Sequence, residues 1–388
     1  MSHVRRAVAW CTALTAALSF TLFLTSPAQA ADPASKTTAD AAVAWLKSQQ
    51  QSDGGFELAM FPGFETRDAS LAIAEDAQTG TTWSTTEALD AVGAVHFGGT
   101  PAGATPLDAL DVFAATVTTA GAAAKTIVLS ASPLGLDPAA FDPAGNGSPV
   151  NLVALLDAGC SADTASFGPA FSDTLYGVLA KKLVCGAPPA AALATVRAAQ
   201  QANGGWNFNG DPTGTDLDID TTALAVESLV AGGADASDPA VHEALAFLAA
   251  QHQASGAWQS FGADDPNSTS LAILAVTATG FDVESSCWRD TADPAATGSA
   301  YASPTAWLRS QQLTAPPADA GRIASPNDTF GVNTFATSQT VEGLLQSWLP
   351  ITTATAPPCT VPVTPVTPAT GTPAAAAEAV AVSPHFTG

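Results

Sequence analysis

The stretch Gln200-Gln201-Ala202-Asn203-Gly204-Gly205-Trp206 decides the fold, because variants of it recur along the 388-residue chain. Each variant closes an amphipathic helical segment with glutamine, turns at small residues and reaches an aromatic side chain. Clear copies occupy 44–56, 196–206, 247–258 and 307–312, and in the last copy a proline-rich insertion before Phe330 replaces the turn. The aromatic residues of these copies are Trp45, Phe56, Trp206, Trp258 and Trp307. The two middle copies lie about fifty residues apart, a period typical of helical repeats.

Helical segments fill the intervals between these copies. A second helix is predicted after each turn, at 85–95, 219–231, 268–279 and 335–348. Two degenerate helix pairs are predicted between the first and second clear copies, 107–117 with 122–134 and 151–158 with 172–184. The apolar spacing of 221–229 is that of a helix buried on most of its surface. The sequence therefore predicts an all-α fold of about six helical hairpins.

The residues of the repeated turn have structural roles. The glycine pair lets the chain leave the end of a helix. The glutamine side chain can bind backbone groups of the turn that would otherwise lack partners. The aromatic side chain is expected to pack against the helix that the chain has just left. None of these roles by itself makes the turn a catalytic site.

The Gln…Gly-Gly-Trp turns resemble the QW repeats of squalene–hopene cyclases and related terpene cyclases. The same helical-hairpin repeat occurs in protein prenyltransferase β subunits, complement thioester domains and cobalamin carriers of the intrinsic-factor type. The resemblance covers most of residues 39–348. It implies an (α/α)6 toroid, in which six inner and six outer helices surround a central cavity, but a shared fold does not fix a function.

One segment, Asp216 to Ala223, resembles the Asp-x-Asp-Asp-Thr-Ala motif of class II terpene cyclases. The resemblance implies that Asp218 matches the first aspartate and Asp220 the general acid that protonates an alkene or epoxide. Such an acid must stay protonated near neutral pH, which burial and neighbouring carboxylates can achieve. Thr221 replaces the last aspartate of the motif, so the acid position is filled but its partner is missing.

The same aspartates have two other interpretations. Asp216, Asp218 and Asp220 could bind Ca²⁺ through carboxylate oxygens, although the spacing is not that of an EF-hand. Alternatively, Asp216 and Asp218 cap the following helix and interact with its positive N-terminal end.

A toroid would gather the first turns of its inner helices at one mouth of the cavity. The predicted ligand-binding residues of this rim are Asp216, Asp218, Asp220, Thr221, Asn267, Ser268 and Asn333. Asp68, Thr86, Asp173 and Thr334 would join them if they occupy the same register. A polar, acidic rim over an apolar barrel suits a small amphipathic or cationic ligand.

Composition excludes several functions. Lys+Arg 12 against Asp+Glu 35 give a formal net charge of −23 at pH 7, which disfavours nucleic acid because clustered basic residues are needed to neutralise phosphates. Aromatic residues make up only 7% of the chain, few for a polyene cyclase that stabilises carbocations on ring faces.

No Asp-x-Cys zinc motif of prenyltransferases and no Gly-Cys-Gly-Glu-Gln thioester motif is found. His242 and His252, ten residues apart on one predicted helix, are interpreted as surface residues.

The two ends of the chain differ from its middle. Residues 1–30 have the basic start, the apolar run and the Ala28-Gln29-Ala30 cleavage site of a secretory signal peptide. Residues 31–349 carry the repeats, and 350–388 form a tail rich in proline, threonine and alanine that is expected to be disordered. No second apolar run is long enough to span a membrane.

Four cysteines, Cys160, Cys185, Cys287 and Cys359, remain after signal removal. An even number in an exported chain predicts disulfides with three alternative connectivities. The pairing of sequence neighbours would join Cys160 to Cys185 and Cys287 to Cys359.

Three functions follow from these observations. The first is a secreted or cell-envelope, non-catalytic monomer that binds a small molecule or wall component in its central cavity and needs no cofactor. A cobalamin-like ligand is one form of this reading, suggested by the resemblance to the carriers. The second is a class II cyclase-like enzyme with Asp220 as its acid. The third is a structural or protein-interaction module.

Overall fold

The computed structural model describes residues 32–57, 65–156, 160–214, 216–326 and 334–346. The predicted signal peptide, the predicted tail, Asn333 and Cys359 lie outside these ranges. No helix of the described part is both long and apolar enough to cross a membrane.

The described chain is mostly helical, as the repeat pattern predicts. The first seven helices are α1 (Pro33–Ser48), α2 (Glu65–Asp76), α3 (Thr85–Gly93), α4 (Pro106–Ala114), α5 (Ala120–Thr126), α6 (Leu152–Leu156) and α7 (Phe171–Cys185). They are followed by α8 (Ala190–Ala198), α9 (Ile219–Ala231), α10 (Pro239–Gln251), α11 (Pro266–Ala278), α12 (Cys287–Ala292), α13 (Pro304–Ser310) and α14 (Phe335–Leu345). A π-helical turn, Ile127–Ala131, continues α5, and 3₁₀ turns occupy Phe97–Gly99 and Pro294–Ala296.

A small hairpin interrupts this helical pattern. Strands β1 (Trp258–Ser260) and β2 (Ala263–Asp265) pair antiparallel, with Trp258 opposite Asp265. The two residues between them, Phe261 and Gly262, have φ of 50° and 80°. Positive φ at both central residues is typical of a tight hairpin turn. The repeat pattern did not predict these strands because it assigned only the preceding Gly256-Ala257-Trp258 turn.

Six helices contact one another in a closed cycle. The order is α2, α5 with its π-helical turn, α7, α9, α11 and α14, and α14 returns to contact α2. Nearly every residue of α2, α9, α11 and α14 is buried, which is expected of helices covered on all sides. Several other helices lie outside this cycle: α1 contacts α2 and α14, α8 contacts α7 and α9, and α10 contacts α9.

The first repeat differs from its prediction. Its second helix is α2, which begins at Glu65, and not the predicted segment 85–95. The latter forms α3, a half-exposed helix that contacts α2 and α4 from outside the cycle. The repeat pattern assigned no helix to the sequence of α2, ETRDASLAIAED, although it placed Asp68 at the predicted rim.

The repeated turns are held by the same hydrogen bonds. The side-chain amides of Gln50 and Gln200 donate to the carbonyl oxygens of Gly54 and Gly204, at 3.1 and 2.8 Å. Each amide also donates to the next outer segment, for example from Gln200 to the oxygen of Ala240 at 2.8 Å. Each glutamine therefore both closes its own turn and joins that turn to the following hairpin.

The aromatic residues pack where the repeat predicts. The indole nitrogens of Trp206 and Trp258 donate to the oxygens of Val196 and Leu248, at 2.7 and 2.8 Å, in the helices that the chain has just left. Both indoles are fully buried.

A threonine in the next helix completes each turn. In four repeats the residue two positions after the positive-φ glycine of the turn donates its backbone N–H to a threonine hydroxyl at 2.9 to 3.1 Å. The pairs are Phe56–Thr66, Trp206–Thr222, Trp258–Thr269 and Ile323–Thr337.

The fourth copy also keeps its turn, contrary to the prediction. Gln312 donates to the oxygen of Gly321 at 3.2 Å, and Gly321 has φ of 99°. Gln312 and Ile323 form a β-bridge. The proline-rich insertion therefore lengthens the turn without replacing it, and an isoleucine stands where the other copies have an aromatic residue.

His252 is not a surface residue. It occupies the place in the third turn that glutamine has in the other copies, with its ring close to the backbone of Gly256 and Ala302. The imidazole lies 4.8 Å from the ring of Trp258 and 5.0 Å from that of Tyr301, between centroids. Burial and nearby Arg289 lower its pKa to about 4, so the imidazole is neutral at pH 7.

The last repeat is bonded to the first. Arg309 pairs with Asp32 at 2.9 Å, and the amide of Gln312 donates to the oxygen of Thr38 at 2.8 Å. The indole of Trp45 donates to the oxygen of Ala318 at 3.1 Å. These contacts close the outer layer between α1 and α13.

The disulfide between Cys160 and Cys185 is confirmed, and it joins the segment before α7 to the end of that helix. Cys287 begins α12 and is buried. The second predicted pair is left as a prediction because Cys359 lies outside the described residues.

Candidate functional site

The two motif aspartates lie at the start of α9. Asp218 is the N-cap, and its carboxylate accepts the backbone N–H of Thr221 at 2.9 Å. Asp220 is half-buried in the first turn of the helix, where its carboxyl accepts the hydroxyl of Ser268 at 2.6 Å. Burial and the charges of Asp218 and Asp265 raise the pKa of Asp220 to about 8, against the opposing effect of the hydrogen bond from Ser268. Asp220 is therefore protonated at pH 7 and can donate a proton or a hydrogen bond.

Four other predicted rim residues differ in location: two are exposed, and two lie in the first turn of α11. Asp216 is exposed and does not cap α9, and Thr86 is exposed on α3. Asn267 and Ser268 lie in the first turn of α11, where the carboxylate of Asp265 accepts both of their backbone N–H groups. Asp265, rather than Asp216, thus repeats the capping role of Asp218.

A chain of polar side chains runs from α9 to α2 across this end of the cycle. It begins with the bond from Ser268 to Asp220. The amide of Asn267 donates to Oε1 of Gln339 at 2.8 Å, and Gln339 hydrogen-bonds to Asp68. Four neighbouring helices, α9, α11, α14 and α2, are thereby joined through side chains alone. We call Asp220, Ser268, Asn267, Gln339 and Asp68 the polar belt.

Deeper in the cycle lies a group of ionisable side chains that the sequence did not reveal. The interior cluster consists of Arg67, Asp68, Lys125, Tyr176, Glu227 and Glu342. Its members come from α2, α5, α7, α9 and α14. Glu342 interacts electrostatically with Glu227, and Arg67 with Tyr176, although neither pair lies on helices adjacent in the cycle. Side chains that reach past an intervening helix must meet inside the cycle.

Two cations of the cluster rest on aromatic rings. The guanidinium of Arg67 lies 4.7 Å from the centroid of the Phe113 ring, and the ammonium of Lys125 lies 5.5 Å from that of Tyr176. Such cation–π contacts compensate part of the cost of removing the charges from water. Burial lowers the pKa of Lys125 to about 8 despite the opposing effect of Asp68.

Burial raises the pKa of the carboxyls of the cluster, whereas it lowers that of Lys125. Burial alone raises the pKa of Glu227 to about 8. The pKa of Glu342 is raised well above its usual value by burial and by the charges of Asp68, Glu75 and Glu227. Clustered groups with shifted pKa values are common at binding and catalytic sites, and this cluster is the best candidate in the described part of the chain.

The sequence held a signal for this cluster that pattern analysis did not use. Glu227 lies within the apolar stretch 221–229, and Glu342 lies in the similarly apolar α14. A charged residue in a helix that is buried on most sides must find a polar environment inside the fold.

A metal site has no support in the described residues. No group of three or more His, Cys, Asp or Glu side chains there is arranged to hold a metal ion. Asp216 is exposed, Asp218 caps α9 and Asp220 turns toward Ser268, so the three side chains have different surroundings in this structure.

A surface cavity of about 530 Å³ lies elsewhere. Its walls come from the end of α1, the end of α3 and the following turn, and include Lys47, Gln50, His96 and Phe97. It is a second location that a ligand could occupy.

Comparisons with known proteins identify similar structures but no family. No family model matches the chain, and no curated protein matches it. The apo structure of the type II terpene cyclase MstE from Scytonema is similar at 14% sequence identity and a TM-score of 0.49, covering 81% of this chain and 98% of that one. A variant of that cyclase in complex with its substrate, geranylgeranyl dihydroxybenzoate, gives 16% identity and a TM-score of 0.48, covering 81% and 97%.

These neighbours come from the group of cyclases that the repeated turns resemble. Similarity of this size does not transfer an activity to this chain, because one fold can carry unrelated functions.

Proposed function

We propose that the chain is an exported α/α toroid that binds a small molecule inside its ring of six helices. The observation that carries this proposal is the interior cluster together with the polar belt. A helical ring needs only apolar residues to fill its centre, and buried ionisable groups cost free energy unless they are paired. Five of the six helices nevertheless direct ionisable side chains to one interior region. Polar groups converging in an enclosed site are the usual arrangement for a ligand.

Export is part of the same proposal. The signal-peptide pattern at the N-terminus supports it, and so does the Cys160–Cys185 disulfide, because such bonds persist mainly in oxidising compartments.

Native mass spectrometry tests the proposal. The purified chain is incubated with a metabolite extract, exchanged into volatile buffer and weighed. We expect a small-molecule adduct on the wild type. Tyr176→Ala, which removes a half-buried ring from the interior cluster, should lose the adduct. His96→Ala, which removes a half-buried ring from the surface cavity, should keep it.

The opposite pattern would place the ligand in the surface cavity and contradict binding in the ring. A wild type that retains no adduct from any extract would remove the proposed function altogether.

The second candidate function is acid catalysis at Asp220. The observation in its favour is a carboxyl that is protonated at pH 7 and hydrogen-bonded to Ser268, the state that a class II cyclase needs in its acid. It ranks second because Trp206 and Trp258 are bound between helix layers, while the interior holds charged groups. The two rings that the described interior does present to cations, Phe113 and Tyr176, already face Arg67 and Lys125 and not an open space for a carbocation.

Product analysis distinguishes this second candidate. Polyprenyl substrates, including geranylgeranyl dihydroxybenzoate, are incubated with the wild type and with Asp220→Asn. Cyclised product from the wild type alone would establish the enzyme. An equal absence of product in both would exclude it for these substrates.

A further inference from the structure

Two carboxylate oxygens of the interior cluster lack hydrogen-bond donors. Oδ2 of Asp68 and Oε1 of Glu342 have no partner among the described residues, and the two side chains are only 2% and 5% exposed. A buried acceptor without a donor destabilises the fold, and more so when it is charged. Because almost all buried polar atoms in folded proteins are paired, two such oxygens in one cluster indicate a missing donor.

The charges around Glu342 show which kind of donor fits. Three carboxyls, from Asp68, Glu75 and Glu227, interact electrostatically with it, against one cation, Lys125. The cations of the cluster also have other contacts: Lys125 lies over the ring of Tyr176, and Arg67 lies over that of Phe113. An anionic ligand would be repelled by these carboxyls when they ionise, whereas a cation would pair with them and favour their ionised form.

We propose that the ligand of the ring interior is an organic cation, an ammonium or a related N–H donor, held by the carboxylates of Asp68 and Glu342. This inference rests on the proposed binding function and adds the chemical class of the ligand. The cation supplies N–H donors to the two unpaired oxygens and offsets the acidic excess. Gln339 bonds to Asp68 and so positions one of the two carboxylates.

Binding of a cation is expected to release a proton. In the unliganded protein, burial and the neighbouring carboxyls of Asp68, Glu75 and Glu227 raise the pKa of Glu342, while Lys125 opposes them. A bound cation lowers that pKa, because an opposite charge favours the ionised form. The proton then leaves to the buffer.

Isothermal titration calorimetry with 1,4-diaminobutane tests the inference on the full chain. The matched neutral probe is 1,4-butanediol, which has the same carbon chain but no charge. We expect the diamine to bind the wild type at least about tenfold more tightly than the diol, a difference of about 1.4 kcal/mol. Repeating the titration in phosphate and in MOPS buffers, whose ionisation enthalpies differ and which carry no net positive charge, should show proton release.

Three variants locate the effect. Glu342→Gln and Asp68→Asn should each weaken the diamine about tenfold or more, and Glu342→Gln should abolish proton release. Glu243→Gln, the same change on the exposed side of α10, should alter neither. Circular dichroism spectra and melting curves of each variant confirm that it folds, and proton release by the wild type tests the inference even if a variant does not.

Diamine and diol that bind equally, with no loss in Glu342→Gln, would overturn the cationic ligand and leave small-molecule binding in the ring intact. Failure of the native mass spectrometry to find any adduct would instead remove the binding function on which this inference rests.

Discussion

Replacing Glu227 by glutamine should change how stability depends on pH. The side chain is 5% exposed, and burial raises its pKa from the usual 4.5 to about 8. In the unfolded chain the carboxyl ionises above pH 4.5, whereas in the folded chain it keeps its proton up to about pH 8. The folded state therefore binds more protons in this window, so the free energy of unfolding falls as the pH rises from 4.5 to 8. Glutamine resembles the protonated acid in shape but does not titrate, so Glu227→Gln removes this contribution.

The size of the effect follows from the shift. One proton contributes a slope of about 1.4 kcal/mol per pH unit. Between pH 5 and pH 7, where the unfolded carboxyl is already mostly ionised, the integrated difference is about 2.5 kcal/mol. The wild type should thus lose about 2.5 kcal/mol relative to Glu227→Gln over this interval. For a chain of this size that difference corresponds to roughly 5 °C in the melting temperature.

Urea unfolding followed by circular dichroism at pH 5, 6 and 7 measures the difference. The control is Glu243→Gln, whose carboxylate is exposed and remains in water in both states. Its unfolding free energy should follow the wild type at each pH. Parallel pH dependence of the wild type and Glu227→Gln would refute the reasoning, because it would mean that Glu227 is not held protonated in the folded interior.

Three further predictions concern the framework. Reduction of the Cys160–Cys185 disulfide, which spans 25 residues of sequence, should destabilise the fold by about 3 kcal/mol, measured by urea unfolding with and without reductant. Gly204→Ala should cost more than about 2 kcal/mol, since its φ is 90° and the added carbon would lie 2.2 Å from a carbonyl oxygen of α10; an unchanged melting temperature would contradict this. Thr222→Val leaves the buried backbone N–H of Trp206 without its acceptor and should cost about 1–3 kcal/mol, whereas Thr222→Ser should restore most of the loss in the same assay.

The features that sequence analysis predicts well are those that repeat. The glutamine, the glycines and the tryptophan of the second copy form the predicted turn, and the helix that follows begins at Ile219 as predicted. Each of these residues acts on neighbours a few positions away, so local spacing contains the information. The Cys160–Cys185 bond was also within reach, because the two cysteines flank a single predicted helix.

The features that sequence analysis misses depend on distant contacts. Arg67 and Lys125 interact inside the ring although they lie 58 residues apart in the sequence. No local sequence pattern indicates this proximity. The helix α2 was not predicted, although Asp68 was expected at the rim, and Arg67 and Asp68 in its first turn belong to the interior cluster. His252 was assigned to the surface from its spacing of ten residues from His242 on one predicted helix, and only the folded turn shows that it takes the place of the repeat glutamine.

The contacts between the last repeat and the first give this chain a property that open repeat proteins lack. In an open array each end has a neighbour on one side only, so terminal repeats fray first and need capping. Here Asp32 and Thr38 at the beginning of α1 are held by Arg309 and Gln312 near the end of α13. The first and last outer helices of the described chain, α1 and α13, therefore contact each other. Because neither is left at an open end of the layer, we expect the ring to unfold as one cooperative unit.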